Sequence, residues 1–193
     1  MVTGGRHTAL AALGLIVAAV IPTAVRAAGG PDRAREALAR HAQVVVLGRC
    51  TAIRSNWNAA GTLISTYATY DVEEAVVGAA RGEQLMVKAL GGTVGHISQM
   101  VVDGPRFELG ARDVLFLVAA DEPDALRTVG LGRGQWRVAA DPRSAEDLVI
   151  GASGPPRGLP DGAPVAEDGG PAERLGAVLE DLRGYRHTAA GGR

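Results

Sequence analysis

Residues 91–118 restrict the possible folds of this chain more than any other part of the sequence. The stretch begins with the glycine-rich GGTVG, turns at Asp103-Gly104-Pro105 and ends in an apolar run, Val114 to Val118. Glycine permits a sharp bend or the close approach of two backbones, as at the corner of a β-barrel. The apolar run has the length of a buried strand, and we expect Phe107 and Leu109 to plug the space ahead of it. The sequence therefore predicts a mainly β protein with this strand in its core.

Three further strands are predicted before this stretch. The first starts at Gln43 and contains VVVLGRCTAI, the second runs from Leu63 to Val77, and the third runs from Glu83 to Leu90. Apolar and polar side chains alternate along the second strand, which is typical of a strand with one face in the core and the other in solvent. A cluster of turn-forming residues, Ser55 to Gly61, joins the first two strands into a long hairpin.

A second hairpin is predicted downstream, with Leu126 to Leu131 and Gln135 to Ala139 joined across Gly132-Arg133-Gly134. His96 to Val102 is a further extended segment, although its alternation is imperfect. Together these patterns favour an antiparallel β-barrel of five or six strands that occupies residues 43–140.

The first 27 residues have the layout of a secretory signal peptide. A weakly basic start is followed by the apolar run Ala9 to Val20, and Val25-Arg26-Ala27 places small or apolar residues where a signal peptidase acts. The apolar run is shorter than the roughly 20 residues that a membrane-spanning helix needs. We expect cleavage after Ala27, no transmembrane segment in the mature chain, and export to the periplasm or the extracellular space.

A helix is predicted on each side of the barrel region. Residues 28–42 contain a short helix from Asp32 to His41, with His41 at its packing edge. After a Gly- and Pro-rich linker, residues 141–170, an amphipathic helix is expected over residues 171–184. Gly184 is expected to end it, and residues 185–193 to form a disordered tail. Four apolar residues of this helix recur at i, i+3, i+4 and i+7: Leu175, Val178, Leu179 and Leu182.

The charge balance argues against a nucleic-acid partner. The formal net charge is −1, and removal of residues 1–27, which contain Arg6 and Arg26, changes it to −3. A near-neutral, mildly acidic protein lacks the basic surface that binds DNA or RNA. The single cysteine, Cys50, cannot form an intramolecular disulfide, and its place in a predicted strand favours a buried apolar thiol over a reactive one.

The usual catalytic patterns are not found in the sequence. There is no Gly-x-Ser-x-Gly motif, and His41, His96 and His187 are scattered rather than spaced as zinc ligands. Asp71 and Glu73 share a strand face, but it is the polar face, so solvated carboxylates are favoured over acid–base catalysis there. The sequence thus predicts no catalytic residues, no metal site and no cofactor.

Three residues are the candidate binding residues. GGTVGH resembles a phosphate-binding loop, but such a loop leads into a helix, and the residues after Gly95 are not helical in pattern. Thr93 and His96 therefore remain only as positions for binding a partner. Trp57, on a predicted turn between two asparagines, is either an exposed recognition residue or folded back onto the sheet.

The order of these segments resembles a known family. VVVLGRCTAI, STYATYDVEEAVVG, GGTVGH, FELGARDVLFLV and VGLGRGQWRV, within residues 42–140, are similar to a family of uncharacterised exported bacterial proteins. The resemblance implies an OB-like small barrel, similar to the netrin module and to the tissue inhibitors of metalloproteinases. Members are known mainly as hypothetical secreted proteins, sometimes near or fused to secreted proteases.

The inhibitory mechanism of the metalloproteinase inhibitors does not carry over with the fold. In that family the zinc is blocked by an N-terminal cysteine held in a disulfide. Here the expected mature N-terminus is Ala28-Gly29-Gly30, and Cys50 has no cysteine partner.

Three hypotheses for the function follow. The favoured one is an exported, non-enzymatic binding or interaction module, whose partner would be an extracellular or periplasmic protein. The second is a secreted enzyme or protease-associated protein that uses His96 with Asp71 or Glu73. The third is a structural, envelope-associated protein in which the C-terminal helix docks on the barrel or on a neighbour.

Overall fold

The structure is a computed structural model, and it describes Met1 and residues 31–141, 144–150 and 172–190. The signal peptide and most of the Gly- and Pro-rich linker that the sequence predicts lie outside the described residues. The elements within them are α1 (Pro31–His41), β1 (Val44–Trp57), β2 (Ile64–Val77), β3 (Gln84–Leu90), β4 (Gly92–Val94), β5 (Ile97–Gln99), β6 (Arg112–Ala119), β7 (Ala125–Thr128), a 3₁₀ helix (Leu131–Gly134), β8 (Gln135–Ala140), β9 (Asp147–Ile150), β10 (Glu173–Arg174) and α2 (Leu175–Ala190).

The protein is mainly β, as the sequence predicted, and its strands form one large sheet and one small hairpin. The sheet has eight strands in the order β1-β2-β3-β7-β6-β8-β9-β10, and β1 pairs additionally with β6. The pairings therefore run from β1 through β2, β3, β7 and β6 back to β1. The small hairpin consists of β4 and β5.

One pairing in this circuit is parallel, which the sequence analysis did not anticipate. Met86 and Val87 of β3 pair in parallel with Ala125 and Leu126 of β7, whereas the other pairings are antiparallel. Strand direction must alternate in an antiparallel arrangement, and it cannot alternate all the way round a circuit of five strands. A circuit of this size therefore needs at least one parallel pair.

Two apolar clusters lie on the two faces of β1 and β6. The first joins β1, β2, β3 and β6 and contains Val44, Val46, Cys50, Ala68, Tyr70, Val72, Leu85, Val87, Leu115 and Leu117. The second joins the outer face of β1, β6, β8 and β9 to both helices, through Ala39, Ala42, Val45, Leu47, Val114, Phe116, Trp136, Val138, Val149, Leu175, Val178, Leu179 and Leu182. Alternate residues of β1 and β6 serve the two clusters, as the period of two along a strand requires.

The C-terminal helix docks on the sheet of its own chain. All four apolar residues predicted to share a face of this helix are buried: Leu175, Val178, Leu179 and Leu182. Arg35 of α1 is buried between the helices, where its guanidinium pairs with Glu173 at 2.5 Å and with Asp181 at 3.0 Å and lies 5.8 Å from the ring centre of Trp136. Neither helix in the described part of the chain has the length and apolar character needed to cross a membrane.

Several predicted boundaries near the C-terminus are wrong. Gly184 does not end α2, which continues to Ala190. A single glycine costs a helix only about 1 kcal/mol, and the adjacent Tyr185 packs against the outer cluster while Arg183 pairs with Glu74. In addition, β9 lies within the segment predicted as a linker, and its Val149 is buried.

The second predicted hairpin is also wrong. β7 and β8 do not pair with each other; β7 pairs with residues 117–119 of β6, and β8 pairs with residues 112–115 of the same strand. The 3₁₀ helix between them turns the chain so that the two strands lie end to end along β6. Of the two residues expected to plug the core, Phe107 does pack there, edge-on to Tyr70, but Leu109 is 68% exposed.

Candidate functional site

The glycines at the start of residues 91–118 bring the β4–β5 hairpin against the end of the β1–β2 hairpin. Gly92 has a φ of 127°, and a Cβ at that position would lie 2.1 Å from Thr66 Oγ1 and 2.6 Å from Ser55 Oγ. A Cβ on Gly91 would lie 2.7 Å from the carbonyl oxygen of Gln99. No side chain fits at either position, so these glycines allow close approach, as predicted.

Hydrogen bonds of Gln99 and Thr66 hold this contact in place. The side-chain amide of Gln99 accepts from the Ile64 backbone N–H at 2.7 Å and donates to the Thr62 carbonyl oxygen at 3.0 Å. Thr66 Oγ1 donates to the carbonyl oxygen of Gly91 at 2.7 Å and lies 2.8 Å from Ser55 Oγ. The β4–β5 hairpin is thus fixed to β1 and β2.

All three candidate binding residues lie at this end of the molecule. Trp57 was predicted on a turn, but it is the last residue of β1 and pairs with Ile64. Its side chain is half-buried. Thr93 is exposed on β4 and its hydroxyl lies 2.8 Å from that of Ser98 on β5. His96 is exposed in the turn between β4 and β5. The structure therefore brings the neighbourhoods of these residues together, although no hydrogen bond joins the three side chains in the described part of the chain.

The two segments that meet at this end of the molecule contain no carboxylate, lysine or arginine side chain. Residues 55–66 and 89–102 contain no Asp, Glu, Lys or Arg, in a chain of which 21% of the residues are charged. We call these two segments together the uncharged end. The only titratable side chain in them is that of His96.

The uncharged end also exposes large apolar side chains. Five of them are exposed: Leu63 (48%), Leu90 (55%), Ile97 (44%), Met100 (79%) and Val102 (76%). The backbones that carry Leu63, Leu90 and Met100 all adjoin Gln99, through its hydrogen bond to Thr62, its close contact with Gly91 and its peptide bond. Clustered exposed apolar groups without charge mark sites of association on soluble proteins.

The carboxylates proposed for an enzyme are engaged elsewhere. Asp71 accepts a hydrogen bond from the side chain of Gln84 at 2.8 Å. Glu73 pairs with Arg49 at 2.7 Å and with Arg112 at 2.8 Å. Neither carboxylate has His96 among its partners, so the described contacts do not assemble the acid–base pair of the second hypothesis.

A buried polar network lies inside the first apolar cluster. Asp113 is fully buried and accepts hydrogen bonds from the Tyr70 hydroxyl at 2.8 Å, from Gln135 at 3.0 Å and from Arg137 Nε at 2.8 Å. Burial, together with the negative charge of Asp113, raises the pKa of Tyr70 well above its usual range. The side chain of Gln135 also accepts from the Arg106 backbone N–H and donates to its carbonyl oxygen. The network therefore ties the segment ahead of β6 to β8. Its chemistry is structural, since every polar group of Asp113 is occupied.

Cys50 is buried beside this network. Burial, and to a lesser extent the negative charge of Asp113, raises the pKa of the Cys50 thiol. The thiolate is the reactive form of cysteine, and here it is disfavoured. The buried position predicted from the sequence is confirmed.

A second polar cluster covers the outer face of β2 and β3. Lys88 Nζ donates to Glu122 at 2.7 Å and to Asp121 at 3.0 Å, and the Tyr67 hydroxyl donates to Glu122 at 2.9 Å. The hydrogen bond from Lys88, followed by that from Tyr67, lowers the pKa of Glu122. The guanidinium of Arg54 lies 5.8 Å from the Tyr67 ring centre.

An open depression of about 470 Å³ lies beside the buried network and is lined in part by Glu108, Arg112 and Arg137. Both arginines already pair with carboxylates: Arg137 with Glu108 at 2.5 Å, and Arg112 with Asp147 at 2.7 Å. The depression thus offers no free cation to an anionic ligand. Among the residues that the structure describes, no group of three or more His, Cys, Asp and Glu side chains is arranged to hold a metal ion.

Comparison with known proteins adds no relative. No protein-family model matches the sequence, and no curated protein matches it.

Two features of the site were missed by the sequence analysis. The roles of Gln99 and Asp113 depend on contacts across strands, and a single glutamine or aspartate in a β pattern gives no signal of them. The absence of charge in residues 55–66 and 89–102 was readable from the sequence, but its meaning required the knowledge that the two segments meet.

Proposed function

We propose that this protein is an exported, non-enzymatic binding module on an OB-like barrel, and that its binding surface is the uncharged end. The barrel is supported by the five-strand circuit β1-β2-β3-β7-β6, since an OB fold is a small five-stranded barrel. Export is supported by the signal-peptide pattern of residues 1–27.

The observation that carries the proposal is the combination of missing charge and exposed apolar area. Protein interfaces have cores depleted in charge and enriched in aromatic residues and methionine. The uncharged end contains Trp57 and the largely exposed Met100. The paired strands β1 and β2 support it. In OB folds the loop between the first two strands is a frequent binding element, and the corresponding loop, residues 58–63, belongs to the uncharged end.

The character of this surface selects a neutral partner. A charged group brought against it would lose water without gaining a counter-ion, which costs several kcal/mol. The partner is therefore an extracellular or periplasmic protein that presents apolar, uncharged side chains. Because few charges meet in such a contact, its affinity does not fall as salt rises.

Binding is tested by capture with immobilised variants. The protein, Met100→Glu and Leu109→Glu are compared for the proteins that they retain from periplasmic and culture-medium fractions at low and high salt. Leu109 is a matched control, since it is also largely exposed but lies outside the uncharged end. We expect a partner retained at both salt concentrations by the unaltered protein and by Leu109→Glu, and lost from Met100→Glu. Equal retention by all three, or release of the partner by salt, would refute the proposed surface.

A further inference from the structure

The outer edge of β1 is paired for only half of its length. Residues Val44–Arg49 pair with β6, and Cys50 exchanges two backbone hydrogen bonds with the segment just before it, to Ala111 and from Gly110, both at 2.8 Å. The pairing with β2, on the other edge, continues to Trp57. The last residues of β1 therefore pair with β2 along one edge, and no strand of the described chain pairs with their other edge.

The hydrogen-bonding groups on this free edge can be identified from the strand register. Asn58 N–H donates to the Leu63 carbonyl oxygen at 2.7 Å, and antiparallel pairs alternate between bonded and non-bonded. Asn56 and Arg54 consequently bond to β2. The backbone N–H and C=O groups that point away from β2 are those of Ile53, Ser55 and Trp57.

The opposite strand gives an independent check of this assignment. Ile64, the partner of Trp57, directs its backbone away from β1, since its N–H donates to Gln99 and its carbonyl oxygen accepts from Gly91 at 2.8 Å. The pair Trp57–Ile64 is thus a non-bonded pair, as the alternation requires. Within the described ranges of the chain, no group is hydrogen-bonded to the free-edge backbone of β1.

The side chains of the free edge offer little protection against added strands. Natural proteins protect edge strands with lysine, proline, an inward-pointing charge or a β-bulge. The register shift of β1 that lies closest to this edge falls between Cys50 and Ala52, and no shift interrupts the pairing of Ile53–Trp57 with β2. The segment from Ile53 to Trp57 contains one charged residue, Arg54, and its guanidinium is directed to the Tyr67 ring and the Met86 sulfur on the outer face of the sheet. The described residues leave this edge unpaired, and it borders the uncharged end.

We propose that an extended, uncharged segment of a partner protein adds to this edge as a strand beside Ile53–Trp57. The inference rests on the proposed function and specifies its partner. The added strand would bond to three alternate residues of β1 and place alternate side chains against Ile53 and Trp57, which share the face of Ala68 and Ile64. Apolar residues suit that face and polar, uncharged residues suit the other.

A second copy of the chain is a poorer occupant of the edge. If two β1 edges paired antiparallel about Ser55, Arg54 of each copy would lie diagonally across from Arg54 of the other. Long side chains at diagonal positions are within reach of each other, so the two guanidinium groups would add positive charge to positive charge on one face, with no carboxylate from either edge segment to offset it. A neutral segment of another protein meets no such repulsion.

The test uses the full chain and a synthetic heptapeptide of alternating Thr and Val with acetylated and amidated ends. Amide hydrogen exchange is followed by NMR with and without the peptide. At a peptide concentration 100 times its Kd, exchange at Ile53, Ser55 and Trp57 should slow by about 100-fold, while exchange at Arg54 and Asn56, already bonded to β2, should change little. Two control peptides, one with every amide nitrogen methylated and one with Glu in place of Val, should have no effect.

Each outcome of this test bears on the inference. Alternating protection by the Thr–Val peptide alone supports strand addition. Perturbation of Trp57 without alternating protection would show that the uncharged end binds the peptide in another way, which overturns this inference and leaves the proposed function standing. Protection of the same amides that grows with protein concentration and needs no peptide would identify a second copy as the occupant. Complete absence of protection would also overturn strand addition, whereas the capture experiment decides the proposed function separately.

Discussion

Replacing Gly92 with alanine tests whether the uncharged end is held together as described. The new Cβ would lie 2.1 Å from Thr66 Oγ1 and 2.6 Å from Ser55 Oγ, so the hairpin or those hydroxyls must move. A residue other than glycine at a φ of 127° costs about 1–3 kcal/mol, and loss of a hydrogen bond at Thr66 costs about 1 kcal/mol more. We expect Gly92→Ala to lower the free energy of unfolding by about 2–4 kcal/mol in urea denaturation.

Gly95→Ala is the matched control for this prediction. Gly95 lies in the turn of the same hairpin with a φ of 62°, and nothing lies within 4 Å of the position of its Cβ. Its substitution therefore carries the backbone strain, about 1–2 kcal/mol, without the collision. Both variants reduce the entropy of the unfolded chain equally, so that effect cancels between them. If Gly92→Ala cost no more than Gly95→Ala, the close packing of the hairpin on β1 and β2 would be refuted.

Three further predictions concern the polar groups. Tyr70→Phe removes a donor from the buried Asp113 and should lower the free energy of unfolding by about 1–3 kcal/mol, measured in urea. The pKa of Glu122 is lower in the folded protein than in the unfolded chain. Its ion pair with Lys88 therefore stabilises the protein above the unfolded pKa of about 4.3, and this stabilisation is lost as pH falls through the lower folded value. Between pH 6 and pH 3 the urea midpoint should thus fall less for Lys88→Met than for the unaltered protein. Cys50 should react with iodoacetamide at least about 1,000-fold more slowly in the native protein than in urea, because only opened molecules expose the thiol.

A specific result would contradict each of these three predictions. Tyr67→Phe is the control for Tyr70, since the Tyr67 hydroxyl bonds a carboxylate that is 43% exposed, and an equal loss in both variants would contradict the buried network. Parallel pH profiles for Lys88→Met and the unaltered protein would contradict the ion pair. Rapid native alkylation would show that Cys50 is accessible.

The strand faces were predictable because they follow from a period of two that the sequence displays openly. In β2, Ala68, Tyr70 and Val72 are buried and alternate with more exposed residues, as expected from the pattern. The buried face of α2 was likewise visible at i, i+3, i+4 and i+7. These elements obey local rules, and local rules can be read from a sequence.

The failures have a different physical cause, namely specific hydrogen bonds and strand pairings that override the pattern of apolar and turn-forming residues. Ser55 to Gly61 has the composition of a turn, yet pairing with β2 extends β1 to Trp57, and the turn is closed by Asn58 Oδ1, which accepts from the N–H groups of Thr62 and Leu63. His41 was expected to pack, but it is exposed and bonds the Ala37 carbonyl oxygen of its own helix at 2.7 Å. The extension of β1 depends on pairing with another strand, whereas the exposure of His41 goes with a local bond in its own helix; the apolar pattern specifies neither.

The contact of Arg35 with Glu173 and Asp181 has a consequence for the order of folding. It joins the first helix to residues about 140 positions later, so α1 can dock fully only after the C-terminal helix is available. The five-strand circuit, in contrast, is complete by Thr128. During synthesis, which begins at the N-terminus, the chain would assemble the circuit first and add α1, β9 and α2 together as the last step. The two ends of the chain then act as a single late-folding unit, and a truncation at either end should leave the same intermediate, a sheet without its helices.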